Sequence, residues 1–304
     1  MKAELLNVVS VVFNPIRWQS RIALYRQFEQ HMLDSGVHLT TVECALGERP
    51  FELDNPRVNH VKVRANSILW NKENLINLAI ARLPPDWKYV AWLDADILFR
   101  QPGWASETVQ ALQQYHVIQP WESCYDLGPH GEHVDLHHSF LSLWWKDKSI
   151  RFGGGYTFAH PGYAWACTRQ AFEWFGGLIE TAALGAGDHH MALALIGRVA
   201  ESVPGGLSAS YLRHLNIWQA RALQHINFSL GFLQGSTIEH FWHGRKEDRH
   251  YSLRWDIVTG NQFDPDTDLK RNAFGVLELA GNKPRLEHDL DTYFRQRNED
   301  GNLI

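Results

Sequence analysis

The chain has 304 residues, 44% hydrophobic and 21% charged, the balance of a globular protein with a core large enough for one or two domains. A formal charge of −5 excludes an extended basic surface for non-specific nucleic-acid binding, without excluding a local basic groove. Cys44, Cys124 and Cys167 are too few and too scattered for a disulfide framework or a zinc cluster, which points to a reduced, cytoplasmic setting. No apolar run approaches the roughly 18 residues that span a bilayer, so no membrane span is expected.

Leu5 to Phe13 is apolar, but Asn7 and Ser10 interrupt it and Asn14-Pro15 ends it, so it reads as a first strand, buried from Val8 to Phe13, rather than a leader. Trp18, Ile22, Tyr25, Phe28 and Met32 recur at helical spacing and predict a helix that Gly36 stops. Val37 to Ala45 and Val58 to Val63 read as two more strands. Leu75, Leu78, Ala79 and Leu83 form a second helical stripe, ended by Pro84-Pro85 because proline cannot continue a helix. Tyr89 to Leu93 is a fourth strand, Trp104 to Tyr115 a third helix and Val117-Ile118 a short strand. This alternation predicts an α/β sheet with helices on its faces. The second half is less regular and richer in Gly, His and Trp; His137-His138 has no third ligand at metal spacing and reads as loop. From Asn261 onward, turn-forming and polar residues predict a peripheral C-terminal extension (261–304) with one short helix near Leu290 to Phe294.

The first strand is followed by Phe13-Asn-Pro-Ile-Arg-Trp18, without the glycines that a dinucleotide fold needs to admit a pyrophosphate, and no Walker A sequence is present. The chemistry lies elsewhere. Tyr89-Val-Ala-Trp-Leu-Asp-Ala-Asp96 is an apolar strand ending in two carboxylates one residue apart. In an extended segment such residues project to the same side, so Asp94 and Asp96 can face one cation. Hard divalent ions take oxygen ligands and bridge carboxylates to substrate phosphates, which suggests a phosphorylated substrate. Asp188, in Gly185-Ala-Gly-Asp188, stands where the helix predicted over Met191 to Ile196 wants an N-cap. Phe152-Gly-Gly-Gly-Tyr156 and the aromatics up to Trp165 combine backbone that a ligand can approach closely with rings that can stack on a sugar.

Trp92-Leu-Asp-Ala-Asp96 resembles the DxD motif of GT-A-fold glycosyltransferases, and further matches follow in that family's order through residue 255. The resemblance implies a GT-A (Rossmann-like) mixed α/β sheet flanked by helices, a single composite domain over 1–260. Its nucleotide-binding half would run from about 1 to 102 and its acceptor half from about 103 to 260. It implies transfer of a sugar from a nucleotide-diphosphate donor, a UDP-sugar as the commonest class, to a hydroxyl of a glycan, a lipid-linked or another acceptor. A modified nucleobase is open but disfavoured by the negative charge. The metal it implies would be Mn²⁺, with Mg²⁺ as the alternative, held by Asp94, Asp96 and a histidine of Glu239-His-Phe-Trp-His-Gly-Arg-Lys-Glu-Asp-Arg249; His243 is the first choice and His240 the second. Arg245, Lys246 and Arg249 would neutralise the departing diphosphate. Asn14 and Arg17 would meet the base and ribose, and Asn71 or Lys72 the nucleotide or diphosphate, with Asp94 completing the donor site. Asp188 is the candidate general base of an inverting reaction, and Gly154, Gly155, Tyr156, Trp165 and His189 would face the acceptor. Two rivals use the same residues differently: a nucleotidyltransferase or metal-dependent phosphate-ester hydrolase with paired aspartates, and a non-catalytic carbohydrate-binding protein built on its 13 Trp.

Overall fold

The computed structural model describes residues 3–148, 159–249 and 253–301. Along β1 (Leu6–Phe13), Leu6, Val8 and Val12 pack to one side and Val9 and Phe13 to the other. Because successive side chains of a strand alternate, a strand apolar on both faces belongs in the middle of a covered sheet. The chain continues through α1 (Gln19–Asp34), β2 (His38–Leu46), β3 (Asn59–Ala65), α2 (Lys72–Ile80), β4 (Tyr89–Leu93), β5 (Ile97–Phe99), α3 (Trp104–Ala111) and β6 (Val117–Gln119). Then follow β7 (Ser123–Leu127), β8 (His133–Ser139), α4 (Phe140–Lys146), β9 (Ala159–His160), β10 (Ala164–Thr168), α5 (Arg169–Phe175), α6 (Gly187–Leu195) and α7 (Ala209–Ile226). The rest comprises β11 (Leu230–Phe232), β12 (Thr237–His240), α8 (Leu253–Gly260), α9 (Pro265–Asp268), β13 (Leu269–Arg271), β14 (Leu277–Leu279) and α10 (Pro284–Gln296).

The main sheet has the strand order β11-β6-β10-β4-β1-β2-β3, parallel except for β10, which runs against both β4 and β6. Tyr25, Phe28 and Met32 of α1 and Trp104 and Val109 of α3 cover one face; residues of α2, α5, α6 and α7 cover the other. The α/β class expected from the sequence, a mixed sheet flanked by helices, is therefore the one observed. A second sheet, β5-β12-β7-β8-β9, stands beyond the end of β4. Asp94-Ala95-Asp96 is the turn by which the chain leaves the first sheet and enters the second. No helix among the described residues is long and apolar enough to cross a membrane, and the three cysteines are buried and unbridged.

Three expectations change. The segment after Asn261 is not peripheral: Val276, Leu277, Leu286, Leu290 and Phe294 are buried in the core, and its helix α10 runs the full length from Pro284 to Gln296. His137-His138 is not loop: β8 carries both, paired antiparallel to β7, because His137 buries its ring against a carboxylate rather than an apolar core. The third helix stops at Ala111 instead of continuing to Tyr115, and the following residues close turns.

Residues after α10 tie distant elements together. The first backbone N–H groups of a helix lack partners inside it, and Trp18 at the start of α1 offers no side-chain bond. The Asp300 carboxylate fills the role from outside, accepting from Gln19 N at 2.8 Å and Ser20 N at 2.9 Å. Buried Glu299 takes a two-pronged bond from Arg21, at 2.5 and 2.6 Å, and a third from Arg297 Nε at 2.8 Å. This strap lies on Gly244, whose φ is +88° and whose Cβ, if present, would sit 3.0 Å from both the Asn298 carbonyl oxygen and the Glu299 Cα. Gly244→Ala therefore combines left-handed strain with a backbone collision and should destabilise the protein by at least about 1–2 kcal/mol. Asp300→Ala removes only a cap and should cost about 1 kcal/mol. Thermal or urea denaturation measures both, and a Gly244→Ala protein as stable as wild type would show that the strap is not seated there.

Candidate active site

A cleft of about 660 Å³ opens at the C-terminal ends of β1 and β4, where Val11 to Phe13 and Leu93 to Asp96 reach its floor. This edge of a parallel sheet is where open α/β folds receive ligands.

The two aspartates of the turn share the cleft but not a partner. Asp94 N donates to the Tyr163 carbonyl at 2.8 Å, fixing the turn, and the Asp94 carboxylate accepts from Lys72 Nζ. Asp96 turns the other way: its Oδ2 lies 3.3 Å from His243 Nε2 and 3.8 Å from His240 Nε2. The Asp96 Oδ1 is buried with no hydrogen-bond partner among the described residues. Burial raises the Asp94 carboxyl, and Lys72 offsets only part of that rise. Burial also opposes ionisation of Asp96, but His240, His243 and Arg249 outweigh it and hold that carboxyl below its ordinary value. The common-side geometry of an extended segment is thus replaced by a turn that sends the two carboxylates to different partners.

His240 and His243 face each other through their Nε2 atoms at 3.1 Å. What aims His240 is Asp126 on β7, whose Oδ1 meets His240 Nδ1 at 2.8 Å. Asp126 is 3% exposed and also engages His137 Nε2 at 2.7 Å, the Tyr163 hydroxyl at 3.0 Å and Lys246 Nζ at 2.6 Å. Burial disfavours its charge, yet the hydrogen bonds from His137, His240 and Lys246 hold it far below the usual carboxylate range. Burial, aided by Arg249, pushes His243 down to about 3, so its ring is neutral at physiological pH. Neutral imidazole is the form that binds a metal.

Asp96, His240 and His243 each present one ligand atom, all within 4.8 Å of one another. One carboxylate and two imidazoles, an orphaned carboxylate oxygen and a carboxylate behind one histidine together fit a divalent cation, and this mixed N/O set suits Mn²⁺ better than Mg²⁺. Asp126, Asp135 and His137 form a second such group, but the Lys246 ammonium stands between its carboxylates, 2.6 and 3.2 Å from Asp126 and Asp135.

Opposite this cluster, α2 and α6 present their N-terminal ends. Asn71, at the start of α2, is 1% exposed, and neither atom of its side-chain amide has a hydrogen-bond partner among the described residues, although it lines the cleft. Burial would lower Lys72, but Asp94, Asp188 and Glu73 together raise it. Burial pushes Glu73 up to about 7; its carboxyl is seated against Gly187, where a Cβ would stand 2.5 Å away. Asp188 is not the cap expected of it. Gly185 and Ala186 turn with φ of +88° and +76°, so α6 begins at Gly187 and Asp188 is its second residue, accepting from His189 N at 2.8 Å. Burial works against its charge, but Lys72 and His160 prevail and lower its pKa.

Of the residues singled out from sequence, Asn71, Lys72, Asp94, Asp96, Asp188, His189, His240, His243, Lys246 and Arg249 all line this one cleft. Asn14, Arg17 and Arg245 do not: the Asn14 side chain closes a turn on the backbone of Trp18, while Arg17 and Arg245 are exposed. Trp165 is buried in β10, donating its indole N–H to the Pro161 carbonyl at 2.6 Å. Gly154, Gly155 and Tyr156 lie outside the described residues. Sequence reading missed Glu73, Asp126, His160, Arg254 and the strap residues Arg297 and Glu299. Only Asp126 left a signal, since it alternates with buried Cys124 along Ser-Cys-Tyr-Asp-Leu127.

No protein-family profile matches the chain, and no curated protein matches it by sequence. Among solved structures it is similar to a mutant of Drosophila β1,4-galactosyltransferase 7 in complex with manganese, UDP-Gal and xylobiose, at 10% identity over 93% of this chain and 98% of that one, with a TM-score of 0.43. The catalytic domain of the same enzyme with xylobiose gives 10% identity, 92% and 98% coverage, and a TM-score of 0.41. A Desulfovibrio desulfuricans protein assigned as a nucleotide-diphospho-sugar transferase gives 11% identity over 98% and 99%, with a TM-score of 0.32. At such scores the roles of individual residues follow from the cleft alone.

Removing the support behind His240 tests the cluster. Asp126→Asn should weaken Mn²⁺ binding about 10–100-fold, Asp96→Asn should abolish it, and Asp94→Asn, whose carboxylate belongs to Lys72, should cost far less. Titration of Mn²⁺ by electron paramagnetic resonance reads all three, and equal losses at Asp94 and Asp96 would place the ion between the aspartates instead.

Proposed function

We propose that this protein is a GT-A-type glycosyltransferase that moves a sugar from a nucleotide diphosphate, a UDP-sugar, to an acceptor hydroxyl. The observation that carries the reading is the pairing, across one cleft, of the Asp96–His240–His243 cluster with ionised Asp188. The metal set departs from the one the sequence implied: His240 joins His243, and Asp94 belongs to Lys72. Bound there, Mn²⁺ would supply Lewis-acid stabilisation of charge on the departing diphosphate.

The chain's own groups divide the remaining work. Lys72, Lys246 and Arg249 bring positive charge to the cleft wall near the cluster, where the bond between sugar C1 and the diphosphate oxygen breaks. Asn71 offers an amide donor and acceptor to the nucleotide-sugar. Asp188, ionised at neutral pH, accepts the acceptor's hydroxyl proton as that oxygen bonds to C1. Asn71 and Lys72 come from the half from 1 to 102, and Lys246, Arg249 and the base Asp188 from the half from 103 to 260. Residues 293 to 299 of the C-terminal extension add a wall, with Tyr293, Phe294, Arg297 and Glu299 on the cleft.

Replacing Asp188 by Asn separates catalysis from support of the helix, because the amide oxygen can still accept from His189 N but is a poor base. The variant should melt near wild type and bind UDP-sugar normally, yet transfer at least about 100-fold more slowly. Released UDP, measured with Mn²⁺ across a panel of donors and acceptors, is the readout; transfer within a few-fold of wild type would leave Asp188 a purely structural role.

A further inference from the structure

Asp188 has a second carboxyl close to it, that of Glu73, the second residue of α2. Glu73 is 7% exposed and lines the cleft, and among the described residues its carboxyl accepts a hydrogen bond only from its own backbone N–H. Each acid is seated on a glycine. A Cβ on Gly187 would stand 2.5 Å from Glu73 Oε1, and a Cβ on Gly162 would stand 2.8 Å from Asp188 Oδ2. Gly187 has no left-handed φ to satisfy, so the close approach of Glu73 is what its missing side chain allows. The two carboxyls also share a cavity of about 10 Å³, the room of a single water, with Lys72, Asp94 and Gly187 on the same wall.

Two negative charges in so small and buried a space oppose one another, and the surroundings decide which acid keeps its proton. Lys72, His160 and the His189 N–H hold Asp188 ionised against the cost of burial. For Glu73 burial outweighs Lys72, the charges of Asp188 and Asp94 add to it, and the carboxyl is pushed up to about 7. The other titratable groups on this wall stay neutral there. Burial keeps Tyr211 of α7 protonated, and burial, aided by Arg254 of α8, keeps His189 and His190 of α6 unprotonated. Neighbouring acids pushed apart in this way divide into a proton holder and a base.

We infer that Glu73 is a positioning residue for Asp188: the pair holds one proton, Glu73 carries it, and its departure makes Asp188 the stronger base. The word base rests on the glycosyltransferase reading, but the shared proton is testable without turnover. A carboxyl raised by folding adds stability that is complete below its ordinary value of 4.5 and is lost as pH rises through about 7. In urea denaturation Glu73→Gln should therefore gain on the wild type between about pH 5 and 7, and gain no more above. With Asp188→Asn as the parent, where the neighbouring charge is gone, the gain should end at a lower pH. Carboxyl ¹³C titration of the wild type and Asp188→Asn needs no change at Glu73; one glutamate should show a midpoint near 7 that falls in the variant. With Mn²⁺ and saturating UDP-sugar, release of UDP by the wild type should rise at least about fivefold through neutral pH and stay level in Glu73→Gln, because a more basic carboxylate takes a proton more readily. A merely structural Glu73 would lower the rate at every pH and leave the rise in place. That result, a stability gain independent of pH, or a glutamate midpoint unmoved by Asp188→Asn overturns the inference. Absence of UDP release by the wild type, with both titrations as expected, would count against the glycosyltransferase reading and leave the shared proton standing.

Discussion

An ionised carboxylate taken out of water is among the most costly things a fold can contain, and Asp126 is such a group. It is kept because four donors converge on it from different parts of the chain: His137 on β8, His240 on β12, Lys246 in the following loop, and the Tyr163 hydroxyl ahead of β10. Through His137 and His240 they tie β7 to both of its neighbours in the second sheet, β8 and β12. The same carboxylate also sets which nitrogen of His240 faces the cleft, since Nδ1 is committed to Asp126 and Nε2 is left to look at Asp96 and His243. The orientation of His240 toward Asp96 and His243 is therefore set by a residue outside that cluster.

Tyr163 links this network to the turn. Its φ of +71° is costly for a bulky side chain, and the surroundings over-determine it: the hydroxyl is tied to Asp126, the carbonyl accepts from Asp94 N, and the ring stacks on His160 at 4.1 Å. The strain thus lies where the two sheets meet, and it holds Asp94 and Asp96 in a turn from which they diverge. On the far side, Lys72 balances the negative field of Asp94, Asp188 and Glu73, so these three acids are coupled through one ammonium.

In the main sheet β1, β2, β4 and β6 were legible in the sequence because they are apolar, β3 because its apolar residues alternate, and α1 and α2 because they repeat at helical spacing, signals that need no partner to be read, whereas β10 and β11 were not read as strands. The second sheet was not legible. Ser123–Leu127 and His133–Ser139 are short and polar, and they are held by hydrogen bonds between residues whose relation exists only after folding. For the same reason the aspartate pair stood out, while the division of labour within it did not, since that depends on Lys72, His240 and His243 arriving from elsewhere. Local sequence put His243 ahead of His240, whereas the structure brings both to Asp96.

The carboxylate that caps α1 lies 281 positions after the backbone N–H it accepts from. A ribosome therefore makes α1 long before its cap, and the nascent helix begins with bare N–H groups. Contacts of such sequence separation form slowly because a long loop must close first. The wall of the cleft formed by Arg21, Arg297 and Glu299 is accordingly a late product of folding. A chain interrupted before that point would keep the apolar face of α1 packed on the sheet through Tyr25, Phe28 and Met32, yet lack both the Asp300 cap and the Arg297–Glu299 wall of the cleft.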